Sequence, residues 1–148
     1  MKTIDILKSI IVCLDGAKMH LFHSIICEKQ GYTKLAKKMR EEYDEEMEDV
    51  ISMTKRILEL GGDLDIKIEK APLYYNVEQM LREEYKIQKD AVDEFLKMFN
   101  EAEDMDPVTR DILAEYIDAE EEHLRWLDTQ VKCIDSIGLP NYLTLQID

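Results

Sequence analysis

Residues 117–127 read IDAEEEHLRWL, and this stretch decides both the fold and the chemistry that the chain can support. Apolar residues recur through it and around it at steps of three and four, which predicts an amphipathic helix with one face in a core. Residues three apart share a helix face, so Glu120 and His123 point together into that apolar face. A buried carboxylate needs a cation, a proton or a metal ion as its partner.

A Glu-x-x-His pair that faces the interior of a helical bundle is half of the ligand set of a carboxylate-bridged di-iron centre. The same spacing also occurs on helices whose Glu and His side chains are simply solvated. The pair alone does not decide between these two interpretations, so the other helices have to be considered.

The composition favours one all-α domain spanning residues 1–148. Five Gly, three Pro and 35% charged residues accompany long helical periods, and the length suffices for a sizeable core. The net charge of −14 argues against nucleic acid and anionic membranes as partners and favours the attraction of cations.

The cysteine pattern favours a cytoplasmic protein. The odd count of three, Cys13, Cys27 and Cys133, lies in apolar helical stripes, which predicts reduced thiols rather than a disulfide framework. Asp15 and Lys18 interrupt the apolar run near the N-terminus, so we expect no signal peptide. We also expect no stretch to reach the length of a membrane span.

Periodicity and capping residues predict four long helices over residues 3–29, 33–60, 77–103 and 107–137, with a short fifth helix within 140–147. Thr3, Asn76 and Asp106 are predicted N-caps. Residues 61–75 lack helical period but are long enough to cross the bundle, so the second and third helices can run parallel. The first helix is apolar on more than one face, which predicts a core on one side and a subunit interface on the other.

Several blocks together resemble the bacterioferritins, which have a ferritin-like four-helix bundle with a long crossover. The blocks are RILEL at 56–60, VEQMLR at 77–82, RDIL at 110–113, EEEH at 120–123, WLDTQ at 126–130, IGL at 137–139 and NYL at 141–143. The resemblance implies an iron-storage cage of 24 subunits. It also implies a b-type haem between subunit pairs, with Met47 as the ligand from each subunit. Packing at an interface is the alternative role of Met47.

The resemblance further implies a di-iron ferroxidase centre at six positions: Cys13, Glu46, Asp49, Gln88, Glu120 and His123. In the family these positions hold four Glu and two His. Here Cys13 and Gln88 stand where Glu belongs, and Asp49 stands where His belongs. Too few anionic oxygens remain to balance two cations. We therefore expect at most one well-occupied metal position, for iron or zinc, bounded by Glu46, Asp49, Glu120 and His123.

The altered ligand set leaves alternatives open. In the first interpretation the chain is an iron-storage subunit with an impaired or absent ferroxidase centre, alone or with a second, ferroxidase-competent subunit. Alternatively, it is an altered mono- or di-metal oxidase or peroxidase that uses the remaining ligands. A smaller Dps-like or rubrerythrin-like assembly is a third interpretation. His20 shares a face with Cys13 two turns along, and is either a further ligand near Gln88 or a hydrogen-bonded core histidine.

Overall fold

A computed structural model describes residues 1–67 and 72–148. Those residues contain α-helices and no strands, which confirms the predicted all-α class. The elements in chain order are α1 (Thr3–Leu14), a 3₁₀ turn (Asp15–Ala17), α2 (Lys18–Lys29), α3 (Thr33–Glu59), α4 (Val77–Asn100), α5 (Pro107–Ile137) and α6 (Leu139–Thr144). The α1–α2 pair, α3, α4 and α5 form a four-helix bundle, and α6 packs against the end of α5.

The interior of the bundle consists of two apolar clusters with a polar layer between them. Cluster A is built around Ile6, Leu7, Ile10, Met53, Ile57, Phe95, Met98, Leu113 and Ile117. Cluster B is built around Cys27, Leu35, Met39, Val77, Met80, Leu81, Leu127, Ile134 and Tyr142. The polar layer contains the buried side chains His20, His23, Glu42, Glu46, Glu84, Gln88, Glu120 and His123.

The order of these layers along each helix gives the helix directions. The α1–α2 pair and α5 each run from cluster A to cluster B, whereas α3 and α4 run from cluster B to cluster A. Consecutive helices α3 and α4 are therefore parallel, which confirms the predicted long crossover between them. Residues 68–71 of this crossover lie outside the described residues.

Most of the predicted helix boundaries are confirmed. Asn76 caps α4 by accepting a hydrogen bond from the Gln79 N–H (2.9 Å), and Asp106 caps α5 ahead of a proline. The prediction that Thr3 caps α1 was wrong, because Thr3 is already helical and follows Lys2. The Thr3 N–H instead donates to an Asp104 carboxylate oxygen at 2.6 Å, and this bond satisfies one unpaired amide of the first turn.

The first helix is not continuous, contrary to the sequence prediction. Residues 15–17 form a 3₁₀ turn between α1 and α2. Gly16 lies at the centre of this turn, where the low helix propensity of glycine favours such an interruption.

Counted across this turn, Thr3–Lys29 is long and apolar enough to cross a membrane by length and composition. The expectation that no stretch is long enough to span a membrane was therefore wrong. Half of its most apolar 18-residue window is buried inside the protein, a property that the core helix of a soluble protein shares.

The three cysteines occupy different environments, and one of them was mispredicted. Cys27 is fully buried in cluster B, with its sulfur 3.8 Å from that of Met80, and burial raises its pKa to about 12. Cys133 is half-buried. Cys13 is exposed rather than part of an apolar core stripe, because it lines the wall of an open cavity.

The packed pair α2–α3 keeps several large apolar side chains at the surface of the single chain. Phe22 and Ile25 of α2 are 46% and 55% exposed, and Ile51 and Leu58 of α3 are 48% and 54% exposed. The core needs only the opposite face of these helices. The apolar surface is what the sequence prediction of a subunit interface requires.

Candidate metal centre

Three buried carboxyl groups converge in the polar layer. Glu42 and Glu46 lie one turn apart on the inner face of α3, and Glu120 faces them from α5. One oxygen from each lies within 4.8 Å of an oxygen from the other two. Each of these residues is 5% exposed or less, so water does not solvate the three carboxyl groups. Three buried acids at this separation need protons or a metal ion between them.

His123 provides a second, independent indication of a ligand. Its Nδ1 lies 3.2 Å from a Glu42 oxygen, but the angle is unsuitable for a hydrogen bond. Among the residues that the structure describes, neither ring nitrogen has a hydrogen-bond partner. The ring is 5% exposed and stacks on Trp126 with a 10° interplanar angle, which fixes its orientation. A buried imidazole beside three carboxyl groups is a donor set that suits iron or zinc.

Two further histidines meet a fourth buried carboxylate on the α2 side of the layer. The Nδ1 atoms of His20 and His23 lie 3.2 Å and 2.9 Å from the same oxygen of Glu84. The other ring nitrogen of His20 lies 3.5 Å from a Glu46 oxygen. His20 therefore bridges the Glu84 carboxylate and the three-acid cluster.

Gln88 binds the cluster from α4. Its side-chain amide donates to a Glu120 carboxylate oxygen at 2.7 Å and to the Glu120 carbonyl at 3.0 Å. In this arrangement Gln88 orients the Glu120 side chain and leaves the second carboxylate oxygen of Glu120 for another partner.

The electrostatics divide Glu42, Glu120 and Glu84 into two kinds. Burial, together with the neighbouring carboxylate of Glu46, raises the pKa values of Glu42 and Glu120 to about 8. Burial opposes ionisation of Glu84 as well, but two histidines outweigh it and hold the pKa of Glu84 at about 2. At neutral pH the metal-free layer therefore holds protons on Glu42 and Glu120, and a full negative charge on Glu84.

The histidines in the layer also differ. Burial lowers the pKa of His123 to about 3, so its ring is neutral at pH 7 and its one unprotonated nitrogen can act as a ligand. Burial opposes the charge of His20 too, but the carboxylates of Glu46 and Glu84 outweigh it and raise the pKa of His20 well above its usual value.

A cavity of about 550 Å³ connects this layer to the protein surface. Exposed Cys13 and Glu94 line its outer part, and buried Glu46, Gln88 and Glu120 line its inner part. A small ion or molecule therefore has a route from solvent to the carboxyl cluster.

The structure brings together four of the six predicted ligand positions, namely Glu46, Gln88, Glu120 and His123. Asp49 is half-buried, with a pKa raised by burial to about 6, and it does not join the group of three acids. Cys13 lies at the outer part of the cavity.

Sequence reasoning missed Glu42, Glu84 and His23, and it left the role of His20 open. Their spacing was a usable signal. Glu42 and Glu84 precede Glu46 and Gln88 by four residues, so each shares the inner face of its helix one turn away. The acid-rich run at residues 41–48 concealed Glu42 among exposed neighbours.

The polar side chains are displaced in one direction relative to the positions that the resemblance implies. Each buried polar residue lies closer to cluster B than the implied ligand position on the same helix. The pairs are His20 with Cys13, Glu42 with Asp49 and Glu84 with Gln88. The displacement is seven residues along the α1–α2 pair and along α3, and four residues along α4. Both steps are close to whole helical turns, so the side chains still face the interior.

Met47 lies on a different face of α3 from the cluster. It is half-buried, and its neighbours on the same stripe, Ile51 and Leu58, are exposed. This placement separates Met47 from the interior acids and puts it on the apolar outer surface of the α2–α3 pair.

The sequence of this chain is similar to those of known proteins over most of its length. The model of the ferritin-like domain matches residues 14–137. A bacterial ferritin of Neisseria meningitidis is 34% identical over 141 residues, which cover 90% of this chain and 88% of that protein. A bacterioferritin of Brucella melitensis is 28% identical over 131 residues, which cover 87% and 81%. The chain therefore belongs to the ferritin-like family, together with the bacterial ferritins and bacterioferritins to which it is similar.

Proposed function

We propose that this protein is a cytoplasmic iron-storage subunit whose metal centre is built from Glu42, Glu46, Glu120 and His123. The observation that carries the proposal is the convergence of three buried carboxyl groups beside an imidazole with unpartnered nitrogens. The net charge of −14 favours delivery of cations to the protein, and the cavity gives them a route inward.

In this proposal iron is the substrate and the carboxyl cluster is its first binding position. Three carboxylates and a neutral imidazole satisfy one divalent ion in a mixed N/O site. Binding displaces the protons that Glu42 and Glu120 hold at neutral pH. Gln88 keeps Glu120 oriented while this exchange occurs. One occupied position does not support paired oxidation of two ferrous ions, so rapid oxidation is absent or slow.

The proposed assembly is a cage of 24 subunits, formed by this chain alone or with a ferroxidase-competent second subunit. The exposed apolar side chains of α2 and α3 support it, because a monomer would leave this surface in water. A two-fold axis through this surface would bring Met47 of two subunits together.

A b-type haem between two such subunits is the proposed second cofactor, with Met47 as its ligand from each. The residues around Met47 fit this group, because Ile51 and Leu58 offer an apolar surface for a porphyrin and the interior acids lie on another face. A haem there would supply electron transfer, and the Met47 sulfurs would hold it in place.

Zinc titration of purified, haem-free and iron-free protein tests the proposed centre. Zinc is the probe because it takes the same donors without redox chemistry. We expect Glu42→Gln to weaken zinc binding at least tenfold. The matched control is Glu41→Gln, which changes the exposed neighbour on the same helix and should leave the affinity unchanged.

Asp49→Asn separates the proposed centre from the positions implied by the resemblance. We expect it to change zinc affinity by less than threefold. A tenfold loss in Asp49→Asn with an unchanged Glu42→Gln would place the metal at the implied positions and refute the proposed centre.

An altered metal oxidase or peroxidase is the second candidate function, and the open cavity favours it. The cavity of about 550 Å³ that leads to the acids is large enough for oxygen or hydrogen peroxide as well as ions. The test is the rate of ferrous oxidation with oxygen and with hydrogen peroxide, followed by absorbance. It distinguishes the iron-storage subunit from the oxidase or peroxidase. Sustained turnover at one ferrous ion per subunit, without mineral growth, would favour the enzyme.

A further inference from the structure

The polar layer contains a series of hydrogen bonds that the proposed four-residue centre does not include. The series runs from the backbone N–H of Tyr74 to His23, then to Glu84, and then to His20. His23, Glu84 and His20 are 0%, 2% and 6% exposed, so this series is part of the interior. Burying three titratable side chains is costly unless they are hydrogen-bonded, and these hydrogen bonds hold the three side chains in fixed orientations.

The donors and acceptors in this series of hydrogen bonds follow from its first bond, which Tyr74 donates. The Tyr74 N–H donates to Nε2 of His23 at 3.0 Å, so this nitrogen must be an acceptor and carry no proton. The proton of neutral His23 is therefore on Nδ1, which donates to Glu84 at 2.9 Å. Glu84 is then fixed as an ionised acceptor.

The same Glu84 oxygen accepts a second hydrogen bond from Nδ1 of His20 at 3.2 Å. This bond fixes one proton of His20 on Nδ1 and orients its ring. Nε2 of His20 then points away from Glu84 and lies 3.5 Å from an oxygen of Glu46, one of the three clustered acids.

We infer that His20 is a further ligand of the metal centre, through Nε2, and that Glu84 and His23 are the residues that position it. The inference rests on the proposed function, because it adds a ligand to that centre. A carboxylate that accepts from one nitrogen of a metal-binding histidine fixes its tautomer and makes the other nitrogen a better ligand.

The alternative role for His20 is that of a permanent cation paired with Glu46 and Glu84. The two roles differ in what a bound metal replaces. A ligand gives up its Nε2 proton and contributes scattering atoms at bonding distance, whereas a counter-ion keeps its proton and stays out of the coordination sphere. Metal spectroscopy therefore distinguishes them.

X-ray absorption of the zinc-loaded protein is the test, because its outer-shell scattering counts imidazoles on the metal. The chain has only three histidines, so each count has few explanations. We expect two imidazoles in the unmodified protein, from His20 and His123. One should remain in His20→Ala and two in His23→Gln.

Affinity measurements test the positioning residues. Glu84→Gln should weaken zinc binding 10- to 100-fold, the usual effect of removing such a partner, while both imidazoles remain bound at saturating zinc. Glu84→Asp should recover part of the loss. Glu83→Gln, at the adjacent position, is the matched control and should bind zinc as tightly as the unmodified protein.

The outcomes separate this inference from the proposed function. One imidazole on zinc in the unmodified protein, with Glu42→Gln still weakening binding, overturns the role of His20 and leaves the proposed centre intact. A failure of the unmodified protein to bind zinc overturns both. The spectrum of the unmodified protein decides the matter even where His20→Ala does not fold.

Discussion

Metal binding by this centre should depend steeply on pH, because the ligands hold protons until a metal displaces them. Glu42 and Glu120 have pKa values raised to about 8 by burial. At pH 7 each group is then about nine-tenths protonated, so binding of zinc should release about 1.8 protons from the two. At pH 9 the release from these groups should fall to about 0.2 protons.

The same titration sets the change in affinity. Protonation competes with the metal, so affinity falls as pH drops below 8 and levels off above about 9. Between pH 7 and pH 6 each carboxyl group contributes about ninefold, and the pair weakens zinc binding roughly 80-fold. An Nε2 proton displaced from His20 would add to this dependence, and His20→Ala removes that contribution.

Isothermal titration calorimetry in buffers of different ionisation enthalpy measures the released protons directly. Glu42→Gln is the informative variant, because it leaves Glu120 as the only acid of the pair that can release a proton and should halve the contribution of the pair to about 0.9 at pH 7. A release below half a proton at pH 7 in the unmodified protein would show that the acids are already ionised, and would refute this account of the metal-free layer.

Three further predictions concern stability, haem and oxidation. Since burial raises the pKa of Glu42 from 4.5 to about 8, this group should make the metal-free protein less stable as pH rises between these values, by up to about 1.4 kcal/mol per pH unit, and Glu120 should add a similar loss. Thermal unfolding in chelator should show a falling Tm, and Glu42→Gln should flatten the fall. Met47→Leu conserves volume, so it should preserve the cage by size-exclusion chromatography and abolish the bis-methionine haem spectrum; an unaltered spectrum would exclude Met47 as ligand. Cys13→Glu with Asp49→His and Gln88→Glu should introduce fast oxidation of two ferrous ions per subunit in stopped-flow absorbance, whereas a full fast phase in the unmodified protein would contradict the impaired centre.

The helices were predictable because their signals are local. Asn76 and Asp106 cap the helices that they were expected to cap, and apolar periodicity identified the four long segments. The interruption at residues 15–17 was missed, because one glycine within an apolar period is compatible with a continuous helix or with a break.

The candidate metal centre was less predictable, because convergence of side chains from different helices is not a local property. Glu120 and His123 were found through a short motif. Glu42 was not, because its sequence neighbours are acidic and its burial depends on how α3 rotates against α5. The pairing of Glu84 with His20 required the relative heights of α2 and α4, which periodicity alone does not fix.

The division of the interior into two apolar clusters and a polar layer has a consequence for how such sites evolve. Four residues along a helix correspond to an axial shift of about 6 Å, and seven to about 10 Å, with little rotation of the inward face. Substitutions can therefore move a ligand along the bundle axis while topology, connections and outer surface stay the same. The polar layer here holds four glutamates and three histidines, and most of them lie one or two turns away from the positions that the resemblance implies. Comparing residues at fixed alignment columns records only the three substituted positions, whereas comparing the contents of the whole interior also detects the buried acids and histidines one or two turns away.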